Sequence, residues 1–133
     1  LYCKTLSREA NTMQEMMRRE LLPAVMQFTS DLAASAAQKR AAFGADVPLA
    51  YEQESCKKLS ALLAQGQRAA DRLDALIEQC RTLADTTEQA AFYRDEILPQ
   101  MEHMRSVADE MEVLVGKEAW PFPTYGDLLF SVR

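Results

Sequence analysis

The stretch LSALLAQGQRAADRLDALIEQC, residues 59–80, decides the fold. Two series of small or apolar residues recur at every seventh position and interleave at spacings of three and four. Such an a/d heptad, held over three repeats, is typical of a helix packed lengthwise against near-parallel partners. We therefore predict a long helix over about residues 50–85. One series is Leu59, Gly66, Leu73 and Cys80, and the other is Leu62, Ala69, Leu76 and Leu83.

The segments on either side repeat this rhythm. We predict a first helix over about residues 5–43, closed by Gly44, and a third over about residues 87–115, closed by Gly116. Glycine is a frequent residue just past a helix end. The apolar stripes are Leu6, Ala10, Met13, Met17, Leu21, Ala24, Phe28 and Leu32 in the first helix, and Ile97, Met101, Met104, Ala108, Met111 and Val115 in the third.

A capping box is predicted to begin the third helix, formed either by Asp85 with Glu88 or by Thr86 with Gln89. Short connections between long helices favour antiparallel neighbours. The predicted fold is all-α: an elongated antiparallel three-helix bundle followed by an extended C-terminal strap, residues 116–133.

Two prolines fall inside predicted helices. Pro23 lies in the first helix and Pro99 in the third, each after a glutamate and two aliphatic residues. A proline within a helix removes a hydrogen bond and clashes with the preceding turn. Folding the hairpins at the predicted loops places both prolines beside Leu73, so we expect both outer helices to kink at one level. The alternative is that one proline ends its helix and the bundle has four shorter helices.

Composition limits the class of protein. With 133 residues and a net charge of −5, the chain suits a single domain, residues 1–133, and it lacks the clustered basic face of a nucleic-acid binder. No segment has the run of about 18 apolar residues that a membrane span needs. Because the chain begins without Met, we expect it to be a piece of a longer, cytoplasmic protein.

The residue types needed for chemistry are scarce. A carboxylate-bridged dimetal site in a helical bundle needs two Glu-x-x-His motifs, but the single histidine, His103, follows Gln100 at that spacing. The three cysteines, Cys3, Cys56 and Cys80, are widely spaced, so no zinc or redox motif is present. We predict no catalytic, cofactor-binding or metal-binding residue within this chain.

The strap carries the sequence KEAWPFPTYGDLLFSVR, residues 117–133. Prolines after Trp120 and Phe122 favour extended backbone, which directs both rings to one side. We predict that these two side chains fill a pocket, that the Tyr125 hydroxyl forms a hydrogen bond at its rim, and that Trp120→Ala costs about 3–5 kcal/mol of stability. The strap packs either on its own bundle or on another domain or subunit. The remaining predicted docking residues are Leu128, Leu129 and Phe130.

These motifs resemble the C-terminal helical region of type III glutamine synthetases. The resemblance rests on KTLSREANTMQEMMRRELLPAV near the start, YRDEILPQMEHMRSVADEMEVLVG, and above all WPFPTYGDLLF near the end. It implies a parent enzyme of nitrogen metabolism that uses ATP and a divalent metal such as Mg²⁺ to join glutamate and ammonia. It also implies a large homo-oligomer, with the catalytic residues in an earlier domain.

The resemblance therefore implies a non-catalytic domain that is inactive alone. Its role would be docking on the catalytic domain of the parent chain and on neighbouring subunits, oligomer assembly, or regulation. The heptads alone favour a second interpretation, an independent helical scaffold or interaction module.

Overall fold

The computed structural model describes the backbone of residues 2–123 and the side chains of residues 7–123. Within these bounds the chain forms three long helices and no strand. Helix α1 begins at Tyr2 and ends at Phe43, α2 is Ala50–Arg81, and α3 begins at Thr86 and ends at Leu114. A short 3-10 turn, Lys117–Ala119, follows. The predicted all-α three-helix bundle is confirmed.

Helix α2 lies between the other two and runs antiparallel to both. The α1 side chain of Gln14 reaches the carbonyl of Ala70, whereas Thr29, further along α1, meets Cys56 near the start of α2. From α3, Gln100 donates to the carbonyl of Ala69, the residue next to Ala70. The buried side chains along α2 therefore pack against both other helices, as its heptads predict.

The core follows the predicted stripes closely in α2 and α3. Leu59 and Leu73 are fully buried, and of the eight predicted heptad positions in α2 only Leu83 is half-buried. In a close-packed interior, each buried side chain stabilises the fold both by leaving water and by contacting its neighbours. The largest fully buried side chains are Tyr93, Leu21, Leu59, Leu73, Ile97, Met104, Met111 and Val25.

Helix α2 ends at Arg81, four residues before the predicted end at residue 85. The backbone N–H and the hydroxyl of Thr82 both bond to the carbonyl of Gln79, which closes the last turn. Asp85 then begins α3, since its Oδ1 accepts a hydrogen bond from the Thr87 N–H at 3.0 Å. Asp85 is thus the N-cap, and the alternative cap at Thr86 is wrong.

Each helix that contains a proline continues through it by way of a π turn. Met17–Leu21 and Tyr93–Ile97 are both π-helical, and a Leu-Pro pair follows directly after each of them. The N–H of Leu22 donates to the carbonyl of Met17, five residues back, and Leu98 repeats this bond with Tyr93. A widened turn relieves the clash that the proline ring makes in an α-helix. The alternative of four shorter helices is therefore wrong.

The prolines do not both lie beside Leu73 as expected: Pro23 lies about two turns and Pro99 about one turn nearer the start of α2. Leu22, beside Pro23, packs where a side chain at Gly66 would stand, and Gln100, beside Pro99, reaches Ala69. Both contacts precede Leu73 along α2. Lys39, near the end of α1, pairs with Glu52 in the first turn of α2. A common bend of the helix axes at this level stays a prediction.

Candidate functional site

The first part of the strap packs on its own bundle. Trp120 is buried in the same core cluster as the helix side chains, with 9% of its surface exposed. Phe122 is half-buried, and its ring meets Trp120 edge to face, with centroids 6.1 Å apart. Such aromatic pairs add stability beyond the area that they bury. The other predicted docking residues, Tyr125, Leu128, Leu129 and Phe130, lie outside the described residues.

The strap reaches this position through a tight backbone turn. Helix α3 gives way to extended backbone at Val115, and the N–H groups of Ala119 and Trp120 then bond to the carbonyl of Gly116 at 3.0 and 3.2 Å. Gly116 has an ordinary negative φ of −59°. Glycine is therefore not needed here for its backbone conformation. It leaves room for a neighbour, because a Cβ there would lie 3.4 Å from the ring of Phe28.

A groove of about 800 Å³ opens beside the strap, between the first half of α1 and the second half of α3. Its floor is apolar and rich in methionine, a side chain whose flexibility suits surfaces that must adapt to a partner. Trp120, Phe122 and Pro123 form part of its wall. The apolar residues of the helices that line it are Met13, Met16, Met17, Leu21, Met101, Met104 and Ala108.

Charged side chains line the groove around this apolar floor. Arg8 and Glu9 belong to α1, while Arg105, Asp109 and Glu112 belong to α3. Both signs are present, so the groove is not shaped for a strongly anionic or cationic small molecule. An apolar floor with mixed charges around it suits a peptide segment that carries large apolar side chains.

Away from the groove, polar side chains connect α1 to α2. Gln14, only 5% exposed, donates from Nε2 to the Ala70 carbonyl and to Asp74 Oδ1, at 2.5 and 2.6 Å. Arg18, one turn on, bridges Asp74 and Asp71 at 2.5 and 2.7 Å. Hydrogen bonding to Asp74 is the main cause that raises the pKa of the Arg18 guanidinium, which stays charged.

A second polar contact joins the first hairpin. Glu52 lies in the first turn of α2 and is 5% exposed, and its Oε2 is 2.9 Å from Lys39 Nζ. The hydrogen bond from Lys39 is the main cause that lowers the pKa of the Glu52 carboxyl below its ordinary value. This ion pair fixes the overlap of α1 with α2.

The structure also places the residues that were considered for chemistry. His103 is exposed on α3, and Gln100 is used in the contact with α2. Among the side chains that the structure describes, no three His, Cys, Asp or Glu residues come together as a metal site. None of the helices in that part of the chain is long and apolar enough to cross a membrane.

Sequence reasoning missed Gln14 and Glu52 as buried contacts. Gln14 lies four residues after buried Ala10 and three before Met17, so the stripe itself marks the position as inward-facing. It was overlooked because only apolar residues were assigned to the stripe. Glu52 lies seven residues before Leu59, in register with that heptad series, so the spacing marks it too as inward-facing.

Comparison with known proteins gives three findings. The family model of the glutamine synthetase C-terminal domain matches residues 1–40. The glutamine synthetase of Butyrivibrio fibrisolvens is 31% identical over 132 residues, which is 99% of this chain and 19% of that protein. The type-3 glutamine synthetase of Dictyostelium discoideum is 26% identical over 137 residues, covering 98% of this chain and 18% of that protein. No solved structure matches the chain.

Proposed function

Since this chain is related to the type III glutamine synthetases along nearly its whole length, as its terminal motifs predict, we propose that it is a non-catalytic docking domain of such an enzyme. The chain spans about a fifth of the length of the curated relatives that it matches. The parent would condense glutamate with ammonia at the expense of ATP. Its helical domain would hold the C-terminal region against the rest of the protein and support assembly of the oligomer in the cytoplasm.

The observation that carries this proposal is the groove between α1 and α3. Its floor is methionine and alanine rather than acids or bases, and two aromatic strap residues already line it. Such a surface gains affinity by burying apolar side chains, at about 25 cal/mol per Å². It is suited to holding a segment of protein in place.

Among the side chains that the structure describes, no three His, Cys, Asp or Glu residues gather into a set that fits Mg²⁺ with ATP. Mg²⁺ prefers carboxylates and other oxygen ligands at open octahedral sites. Here Asp71 and Asp74 are engaged by Arg18, and Glu52 is engaged by Lys39. The nucleotide and the metal would be held by the part of the parent that precedes this chain.

The test uses the full-length enzyme and two matched variants of α1. Met16→Glu places a charge in the groove, and Met26→Glu places the same charge at an exposed methionine outside it. Both side chains are exposed in this structure, so neither change should unfold the bundle. We expect the wild type and Met26→Glu to form glutamine from glutamate, ammonia, ATP and Mg²⁺ as oligomers of equal native mass. Met16→Glu should have a lower native mass.

Two results would contradict the proposal. If the wild-type protein makes no glutamine when supplied with glutamate, ammonia, ATP and Mg²⁺, the proposed activity of the parent is wrong. That result would favour an independent helical scaffold. If Met16→Glu and Met26→Glu show the same native mass as the wild type, the groove has no part in assembly.

A further inference from the structure

We propose that a basic pocket between α2 and α3 binds a small phosphate, either the free ion or a phosphate ester. The pocket has a volume of about 410 Å³ and shares none of its described lining residues with the groove. The proposal therefore stands apart from the docking function. The residues that line the pocket are Gln65, Arg68, Ala69 and Arg72 of α2, and Gln100 and His103 of α3.

Two helices present polar side chains to the pocket. Gln65, Arg68 and Arg72 follow one another at spacings of three and four, so they share one face of α2. Gln100 and His103 are three apart and share a face of α3 in the same way. Gln100 Nε2 donates to the carbonyl of Ala69 at 3.1 Å, which connects the two faces within the pocket. Because helices carry these side chains, little backbone has to become ordered when a ligand binds.

The charge of the pocket has one sign. No carboxylate is among its described lining residues, and Arg68 and Arg72 are exposed and form no salt bridge in the described part of the chain. The neighbouring acids of α2, Asp71 and Asp74, are engaged by Arg18 of α1. Like charges four residues apart on a helix repel each other, and a bound anion would remove that repulsion.

These donors fit phosphate better than a carboxylate. A phosphate monoester carries a charge of about −1.5 to −2 at pH 7 and has three acceptor oxygens. Two guanidinium groups match that charge, and each offers a planar fork of N–H donors. A carboxylate has one charge and two oxygens, which a single arginine can satisfy. The side chains of His103 and Gln65 supply further donors for the third oxygen.

The size and exposure of the pocket set the class and affinity of the ligand. Small-molecule sites commonly have volumes of about 300–1,000 Å³, so the pocket lies towards the small end of that range. Water and salt weaken ion pairs formed by exposed arginines. We therefore expect a dissociation constant of about 1 mM for inorganic phosphate.

Arginine modification of the full-length protein tests the proposal. Phenylglyoxal reacts with free guanidinium groups, and mass spectrometry of the peptides gives a rate for each arginine. We expect 10 mM inorganic phosphate to slow the reaction of Arg68 and Arg72 about fivefold or more, relative to sodium chloride at the same ionic strength. Arg19, exposed on α1, is the internal control and should react at the same rate in both solutions.

Further probes separate the possible ligands. Glycerol 3-phosphate at the same concentration shows whether the site also accepts a phosphate ester. Protection by inorganic phosphate alone would assign the pocket to the free ion, and protection by both would extend it to esters. Succinate, a dicarboxylate, should protect the two arginines less than phosphate does, and equal protection by succinate would contradict the preference for phosphate.

Two variants of α2 that each remove one positive charge test whether the arginines act together. Arg72→Gln should reduce the protection of Arg68 by phosphate to less than about twofold, whereas Lys58→Gln should leave it unchanged. Both side chains are exposed, so neither change should unfold the bundle. Equal loss of protection in the two variants would show a general effect of charge and would contradict a site.

Two further results would overturn the proposal. If phosphate slows the reaction of Arg19 as much as that of Arg68 and Arg72, the anion does not act at the pocket. If Arg68 and Arg72 do not react even without phosphate, another part of the full-length protein covers them. The pocket would then be a contact for an acidic protein segment and not a phosphate site. Neither result would alter the native masses that test the docking function.

Discussion

At the scale of single residues, polar groups decide how the helices register. Gln14 and Arg18 reach across from α1 to three groups of α2, the Ala70 carbonyl and the carboxylates of Asp71 and Asp74. Apolar stripes alone tolerate sliding by one heptad, since each repeat presents a similar surface. A buried amide that fits only one carbonyl removes that freedom. We attribute the unique register of α1 on α2 to this network.

The Glu52–Lys39 pair gives a prediction about pH. Its lowered carboxyl pKa, relative to an ordinary value of 4.5, stabilises the folded chain above the unfolded-state pKa, and this contribution is lost as the pH falls through the folded-state pKa. We expect Glu52→Gln to unfold at a lower urea concentration than the wild type at pH 7. The difference should shrink at pH 3.

Glu54→Gln is the matched control, because Glu54 is exposed on the same helix two residues later. It should unfold with the wild type at pH 7. A Glu52→Gln difference that persists unchanged at pH 3, or one that Glu54→Gln reproduces, would contradict the assigned role of the ion pair.

At this scale the sequence predicted apolar positions better than polar ones. Leu59, Leu73 and Met104 were placed in the core by periodicity, and they are fully buried. Gln14 and Glu52 were not, because burial of a polar side chain depends on a partner supplied by another helix. That partner is fixed only by the tertiary register.

At the scale of elements, the π turns explain where the predicted stripe of α1 fails. The sequence stripe expected Ala24 and Phe28 to face inward after Leu21. The structure buries Val25 and Thr29 instead, and Ala24 and Phe28 are half-buried. A π turn adds one residue to a turn, so it advances the inward face by one position. The proline marked the place, but the sequence did not reveal how the helix would continue.

The two π turns also occur at the same local sequence. A glutamate, two aliphatic residues and proline occur at residues 20–23 and 96–99, and the π turn ends at the same point in both. Local sterics of the proline ring therefore suffice to place the turn. The helix boundaries at Arg81 and Thr86 were less predictable, because they depend on a few hydrogen bonds around Thr82 and Asp85.

Gly66 provides a prediction about the contact between elements. A Cβ at this position would lie 3.0 Å from Leu22 Cδ2 and 3.4 Å from Met111 Cε, so three helices converge here. Gly66→Leu should lower stability by about 1–3 kcal/mol, because overpacking outweighs the better helix propensity. Ala64→Leu, at an exposed position of α2, should change it little. Equal urea midpoints for the two variants would show that the convergence is not tight.

At the scale of the whole molecule, the described part of the chain consists of three helices and the start of the strap, with a groove between α1 and α3. The bundle and the extended backbone at Trp120 were predictable from heptads, glycines and prolines, whereas the 3-10 turn at Lys117–Ala119 was not. The groove was not, because it arises from the spacing of α1 and α3, which do not share the close packing that each has with α2. Met104 and Met111 are fully buried, while the less buried Met13 and Met16 line the groove.

The strap would then act as an anchor for a protein much larger than this chain. Trp120 secures its start in the core of the bundle, and the groove offers a continuous apolar path beyond Pro123.

The most direct test of this account is to measure glutamine formation and native mass for the full-length enzyme with and without residues 120–133. The account predicts that the intact enzyme forms glutamine as a large oligomer and that truncation lowers its native mass. Unchanged mass and activity after truncation would contradict the role of the strap in assembly, and an intact enzyme that forms no glutamine would contradict the proposed parent activity.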